Sequence, residues 1–156
     1  EATLQQGTNS YVAQLSQSVK NDQANVVLVC AALEAQIVEL APTERKEFLE
    51  AYGLRSSTLE ALIRASYQLL QLITYFTAGP QEVRAWTVTQ GTKAPQAAGI
   101  IHSDFERGFI RAEVIKLVNY DYYGSEVACR AAGKVRVEGK EYVVEDGDII
   151  HFRFNV

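Results

Sequence analysis

The chain of 156 residues contains no methionine, one tryptophan, three prolines, two cysteines and two histidines. A complete gene product begins with methionine, so truncation or cleavage of a longer protein is expected. Cys30 and Cys129 stand far apart, without a CxxC partner, and two thiols with so few histidines cannot build a zinc site. No metal site is expected, and a reduced, cytoplasmic setting follows from the same isolated thiols. No apolar run approaches the roughly twenty residues of a membrane span, and no secretory leader is visible. A membrane is therefore not an expected partner. The net charge of −4 argues against wholesale electrostatic binding to nucleic acid, DNA included, while leaving room for one basic face. No GxxxxGK[ST] motif occurs, nor any acidic strand end suited to a Walker B role. The chain by itself is expected neither to cradle phosphates nor to hydrolyse nucleotide, and no catalytic residue is assigned.

What is present is ordinary globular material: 47% of residues are apolar and 22% charged, enough for one medium domain or two small ones. In the first region, Val12, Leu15 and Val19 recur at helical spacing within Asn9–Lys20. Val26–Cys30 is an unbroken, valine-rich run that suits a parallel strand buried on both faces. Ala32–Leu40 and Pro42–Tyr52 read as helices. Ser57 and Glu60 form a capping box, and Leu59, Leu62, Ile63, Leu69 and Leu70 supply the buried stripe of the helix that follows. Helix, buried strand and helix are the last third of a doubly wound α/β domain. One strand makes no sheet, so this region is expected to be incomplete alone.

The character changes near Leu72. Ile73–Ala78 and Glu82–Val88 read as strands joined at Gly79–Pro80. Thr92 is placed to cap a short helix through Ile101, with Pro95 in its first turn. Phe109–Leu117 returns as a strand, Ser125–Ala132 is a short helix, and Val135–Val137, Tyr142–Val144 and Ile149–Phe154 complete the strand set. This order, ββαβ, an excursion, then ββ, is that of a β-grasp (ubiquitin-like) fold. The fold class is therefore α/β followed by α+β, with residues 1–72 as the tail of one domain and 73–156 as a second.

Two groups of residues invite chemistry. His102, Ser103 and Asp104 have the residue types of a triad, but three consecutive side chains diverge and cannot relay a proton to one nucleophile. They read as a corner, with Asp104 and Ser103 bonding local backbone and Phe105 and Phe109 anchoring it. In the last strand, Ile150, Phe152 and Phe154 alternate with His151 and Arg153, which places the cations on the other sheet face. Lys93, Arg111, Lys134, Arg136, Lys140 and Arg153 are candidates for a phosphate-attracting surface. The alternative is a solvated face, since Glu113, Glu138 and Glu141 intersperse it.

Three blocks carry a family resemblance: TYFTAGPQEVRAWTV (Thr74–Val88), APQAAGIIHSDFERGFIRAEVI (Ala94–Ile115) and DGDIIHFRFNV (Asp146–Val156). Together they resemble the TGS domain that ends the Obg-like (YchF-type) ATPases, and Glu1–Leu72 resembles what precedes it there, the end of a P-loop nucleotide-binding domain. In P-loop GTPases a late strand ends in a loop against the nucleotide base. The resemblance implies that Cys30, Ala31 and Ala32 occupy that loop, although the usual lysine is absent at Ala32. It also implies that Glu1 ends the Asn-x-x-Glu motif that favours adenine. The plainer readings are a buried strand entering a helix and a terminal glutamate without a role. The intact protein, by resemblance, is a cytoplasmic P-loop hydrolase that prefers ATP to GTP, uses Mg²⁺, and serves translation and stress responses through the ribosome or ribosomal RNA. The TGS domain would be its docking or regulatory module. TGS domains also occur in threonyl-tRNA synthetases and stringent-response enzymes, so a non-catalytic RNA- or ribosome-binding module of another multidomain protein is the alternative. The base-loop pattern within Glu1–Leu72 favours the ATPase.

Overall fold

In the computed structural model, which describes residues 7–22, 24–54, 56–79 and 82–155, the chain divides into two units, Glu1–Leu70 and Gln71–Val156. Glu1 and the Pro80 half of the expected turn lie outside the described residues.

The first unit is helical, and each helix start has a local chemical cause. The Asn9 side chain accepts from the Val12 amide at 2.8 Å and starts α1 (Ser10–Ser18). The helix α2 (Ala31–Glu39) buries Leu33 and Ile37, four residues apart on one face. Pro42 opens α3 (Pro42–Ala51), where the Glu44 carboxylate accepts from the Ala41 amide at 3.0 Å. Ser57 Oγ accepts from the Glu60 amide at 3.2 Å to start α4 (Thr58–Leu69). Glu34 of α2 ties the two helices by accepting from both the amide (2.7 Å) and the hydroxyl of Thr58.

Two expectations fail in this unit. Residues 26–30 enter no ladder, because a strand exists only against a neighbour and none is found among the described residues of the unit. The stripe on α4 is not buried either: Leu59 and Leu69 are 53% and 55% exposed, and Leu62, Ile63 and Leu70 are similar. Its apolar periodicity is real, but the unit brings only Thr58 and its neighbours against α2.

The second unit is a mixed sheet in the order β2-β1-β5-β3-β4. The hairpin of β1 (Leu72–Ala78) and β2 (Val83–Thr89) is antiparallel, pairing Leu72 with Thr89 and Ala78 with Val83. After it come α5 (Ala94–Ile101), α6 (Ser103–Arg107) and β3 (Phe109–Lys116). An excursion through α7 (Leu117–Tyr123) and α8 (Glu126–Ala131) leads to the short β4 (Arg136–Glu138). The last strand, β5 (Asp148–Phe154), lies between β1 and β3, parallel to the first and antiparallel to the second.

Both sheet faces are packed. On one, Tyr75, Val88, Val114 and Ile150 meet Ala94, Ala97 and Ala98 of α5. The three alanines let the helix approach closely, and the buried Tyr75 hydroxyl donates to the Ala97 carbonyl at 2.8 Å. Burial pushes the Tyr75 phenol above its ordinary value. Phe105 stacks on Phe154 with ring centroids 3.8 Å apart. On the opposite face, Ile115, Ile149 and Cys129 form a smaller cluster that Tyr120 and Tyr123 cover. This cluster covers one end of the second face, because α7 folds back over it with α8.

Two further expectations change for local reasons. Residues 142–144 contribute an isolated Lys93–Val143 bridge rather than a strand, since Tyr142 O and Val144 N bond the loop before α5. Thr92 donates its hydroxyl to Thr89 O instead of capping α5, and Lys93 holds the cap position without a side-chain bond.

Entry into β5 is the most constrained corner. Asp146 Oδ1 accepts from the Thr74 amide at 2.8 Å, and Gly147 turns the chain at φ +78°, a left-handed value that favours glycine. Asp148 is fully buried, and its carboxylate accepts from Lys116 Nζ (2.7 Å), Tyr142 OH (2.6 Å) and the Glu145 amide (2.9 Å). Burial alone would lower the Lys116 ammonium, but the bonds to Asp148, Tyr142 and Glu145 outweigh it and hold the group above its ordinary value. Burial and the Asp148 carboxylate push Tyr142 up to about 12. Removing one partner leaves the other charge uncompensated. Asp148→Ala is expected to cost about 3 kcal/mol, the low end for a broken buried pair because Lys116 keeps some access to water. Urea unfolding of the two proteins checks this, and an unchanged midpoint would show the network to be dispensable.

Candidate nucleic-acid interface

The segment expected beside a nucleotide base lies at the start of α2. Cys30 holds the cap position with extended backbone (φ −108°, ψ 99°) and no side-chain cap, while Ala31 and Ala32 are exposed in the first turn. A groove of about 480 Å³ opens beside Ala31, walled by Val29, Ala35, Val38, Leu59 and Leu62. It offers apolar area and little polarity, because Glu34 at its rim is occupied by Thr58. Such a wall suits the flat face of a planar ring but supplies no phosphate cradle. Among the described residues, no group of three or more His, Cys, Asp or Glu side chains could hold a metal ion. No helix among the described residues is long and apolar enough to cross a membrane.

The six candidate cations of the second unit are not brought to one surface. Arg111 and Arg153 are cross-strand partners on β3 and β5 and share a face with Glu113 and His151. Arg136 pairs in register with Val114, a residue of the opposite face, and its guanidinium lies 5.9 Å from the Tyr142 ring centroid. Side chains alternate, so that register sends Arg136 away from Arg111 and Arg153. Arg136 pairs with Glu138, and Lys93 with Glu141, each at 2.5 Å. The Lys93 ammonium holds the Glu141 carboxyl below its ordinary value. Lys134 and Lys140 are exposed in the connections on either side of β4 and form no ion pair among the described residues.

Glu113 organises the remaining pair and adds a third cation. It is 7% exposed, and its oxygens accept from Arg130 Nη2 at 2.9 Å and Arg153 Nε at 3.1 Å, with Arg111 Nη2 3.9 Å away. Arg130 also donates to Glu126 at 3.1 Å, and Glu126 in turn meets His151 Nε2 at 3.1 Å. The bonds from Arg130 and Arg153 hold the Glu113 carboxyl at about 2 against an ordinary 4.5. Sequence reasoning missed Arg130 because it sits on α8 and reaches Glu113 only after the excursion folds back. Its one local signal is Glu126, four residues earlier on the same helix.

The His102–Phe109 corner is architectural, with a different bonding pattern from the expected one. His102 caps α6 by accepting from the Asp104 amide through Nδ1 (3.2 Å), and Asp104 pairs with Arg107. Gly108 lies so close to the Asn155 carbonyl that any Cβ there would collide with it. Cys129 is buried, with its thiol toward the Asn119 carbonyl at 3.5 Å, and serves packing.

The profile of the YchF-GTPase_C family, described as "Protein of unknown function (DUF933)", matches residues 72–155. The chain is 56% identical over 148 residues to a Bacillus subtilis protein named "Ribosome-binding ATPase YchF", covering 95% of this chain and 40% of that protein. It is 54% identical over 132 residues to "Obg-like ATPase 1" of Pongo abelii, covering 85% of this chain and 33% of that one. The solved Schizosaccharomyces pombe YchF GTPase is similar at a TM-score of 0.84 and 37% identity, over 98% of this chain and 41% of that chain. The chain thus spans about 40% of the length of the first of these relatives.

The Glu113 cluster gives a pH-dependent stability. A carboxyl held below its unfolded value stabilises the fold above that unfolded value, and the contribution is lost as pH falls toward the folded one. Thermal stability should therefore fall as pH drops from 4.5 to about 2, and Glu113→Gln should flatten that part of the profile. An equally steep acid limb in the variant would assign it to other carboxylates.

Proposed function

The chain belongs to the YchF GTPase family, whose C-terminal region its residues 72–155 match, and from that membership we propose that it is the C-terminal part of a ribosome-associated P-loop nucleotide hydrolase preferring ATP to GTP. The observation that carries the reading is the 56% identity, across nearly the whole chain, to a protein named as a ribosome-binding ATPase. Residues 1–72 are the tail of the nucleotide-binding domain. Cys30, Ala31 and Ala32 contribute backbone beside the base, where the apolar groove at Ala31 supplies area for its flat face, and Glu1 ends the base-reading motif. Phosphate cradle, Mg²⁺ ligands and hydrolytic groups belong to other parts of the protein. The chain is inactive alone, and the intact protein works in the cytoplasm.

Residues 73–156 are a TGS domain with a β-grasp fold and act as the docking or regulatory module. The order β2-β1-β5-β3-β4, with α5 packed on one face after the first hairpin, supports that reading. Docking to the ribosome or its RNA uses Lys93, Arg111, Lys134, Arg136, Lys140 and Arg153, with the exposed Lys134 and Lys140 making the freest phosphate contacts. The split of these cations between two faces favours contacts with more than one strand of a folded RNA.

Co-sedimentation of the chain with ribosomes at increasing salt tests the docking role. Binding should weaken as salt rises, and the combined Arg111→Gln, Arg136→Gln and Arg153→Gln variant should bind at least ten-fold more weakly with a flatter salt dependence. No binding by the unmodified chain would sink the docking role. Tight ATP binding by the chain alone would contradict the division of the nucleotide site.

A further inference from the structure

The Glu113 cluster has more donors than its own carboxylates use. Arg111 donates no hydrogen bond among the described residues, Arg153 uses only Nε, and Arg130 uses only Nη2. A guanidinium carries five N–H donors, so most of those in the cluster are unspent. All three side chains are slightly more than half exposed, at 53%, 53% and 55%. Three guanidiniums face the carboxylates of Glu113 and Glu126, which leaves one cation in excess.

Three like charges around one point repel, and they converge here because Glu113 lies buried between them. Arg130 and Arg153 donate to the two oxygens of this one carboxylate and Arg111 stands 3.9 Å from it, so the three guanidiniums gather around a single carboxyl group. Two of the three are already fixed in rotamer by hydrogen bonds to Glu113. A tetrahedral anion at the mouth of this trio would receive charge-assisted, partly bidentate bonds and relieve the repulsion. Because the protein has already ordered the side chains, binding costs little rotamer entropy. The contrast with Asp148 is instructive: there one cation meets a carboxylate that is also satisfied by a phenol and a backbone amide, with nothing left to recruit a ligand.

We infer that Arg111, Arg130 and Arg153, positioned by Glu113, form a clamp for one backbone phosphodiester of an RNA strand. The choice of RNA rests on the ribosome-docking reading above, whereas the clamp itself rests on the geometry around Glu113. Because the three side chains hold one phosphate, loss of any one releases the same contact. The clamp accordingly behaves as a unit and not as three independent surface charges.

The test has two arms on the full 156-residue chain. In the first, binding of a short single-stranded oligoribonucleotide is measured over a range of salt for the unmodified protein, Arg130→Gln, Arg153→Gln and the double variant. Each single variant should reduce the slope of log K against log salt by about 0.7, the value for one phosphate on a single strand, and the double variant by no more than the same about 0.7. Additive losses, or unchanged slopes, overturn the clamp even if RNA still binds. In the second arm, inorganic phosphate is titrated while the arginine Nε–H resonances are followed by NMR. Coordinated shifts of Arg111, Arg130 and Arg153, lost in Arg130→Gln, are expected. No coordinated shift overturns the clamp whether or not the chain docks on ribosomes. Coordinated phosphate shifts without RNA binding refute the RNA assignment and leave a free-anion site, while ribosome co-sedimentation decides the docking reading separately. Tighter binding of a phosphoserine peptide than of RNA refutes RNA as the occupant. Circular-dichroism melts of the exposed-arginine variants separate lost binding from lost fold.

Discussion

Placement of the last strand in the middle of the sheet is the constraint on which the second unit depends. β1 and β2 form their ladder locally, but β1 and β3 share no pairing until β5 arrives from the end of the chain and lies between them. Such long-range pairing demands loop closure before it returns any contact, which makes register the difficult part of this fold. Asp148 resolves the register at the strand's first residue. Its carboxylate is satisfied by Lys116, Tyr142 and the Glu145 amide. A slip by one residue would put Ile149 in the polar niche or, in the other direction, Asp148 in the apolar cluster of Ile115 and Cys129. A buried ion pair contributes little net stability against an apolar substitute, but it penalises every wrong register heavily.

That penalty explains which features were legible in the sequence. The alternation Ile150, Phe152, Phe154 against His151 and Arg153 reads directly from period two, because one strand's own pattern determines which side chains share a face. The phase of Arg136 does not read that way. It depends on pairing with Val114 across a three-residue strand, and nothing local to RVE fixes that register. The same limit hid Arg130, whose partner Glu113 is 17 residues distant in sequence. In the first unit, the apolar stripe of α4 and the run Val26–Cys30 were legible as patterns, but whether a pattern is buried depends on a counter-surface. Leu59 and Val29 remain more than half exposed, with no counter-surface among the described residues of their unit. Capping was legible where it involved short-range chemistry, as at Ser57, whose hydroxyl accepts from the Glu60 amide. It misled at Thr92, where a backbone bridge to residues 142–144 dictated the helix start.

The base-site segment and the cationic face also differ in what surrounds them. Cys30, Ala31 and Ala32 contribute main chain and small side chains, so any specificity there comes from backbone position and from what completes the site. Such a segment can be identified by resemblance but hardly by chemistry, since VVLVCAA carries no group that advertises a role. The cationic face advertises too much, because lysines and arginines on strands are common and most face solvent. Geometry makes the distinction that composition cannot: paired cations such as Lys93 and Arg136 are already matched to Glu141 and Glu138.

Two buried carboxylates thus divide the labour of the second unit. Asp148 sits at the entry to β5 with a single cation and neutral donors, and its surroundings are saturated. Glu113 sits on β3 on the opposite face, among guanidiniums alone, and each of those keeps donors toward solvent. Burying a carboxylate requires partners in either case, yet the choice of partner decides the outcome. A lysine, a phenol and a backbone amide close a site, whereas arginines hold one carboxylate and still present a fork to a second oxyanion. The face carrying Glu113 is also the one where α7 and α8 pack Tyr120, Tyr123 and Cys129 against Ile115 and Ile149, while Arg111 and Arg153 stay more than half exposed at the other end of their strands. The same excursion that packs half of this face therefore delivers Arg130 to the other half, joining core packing to the recognition surface.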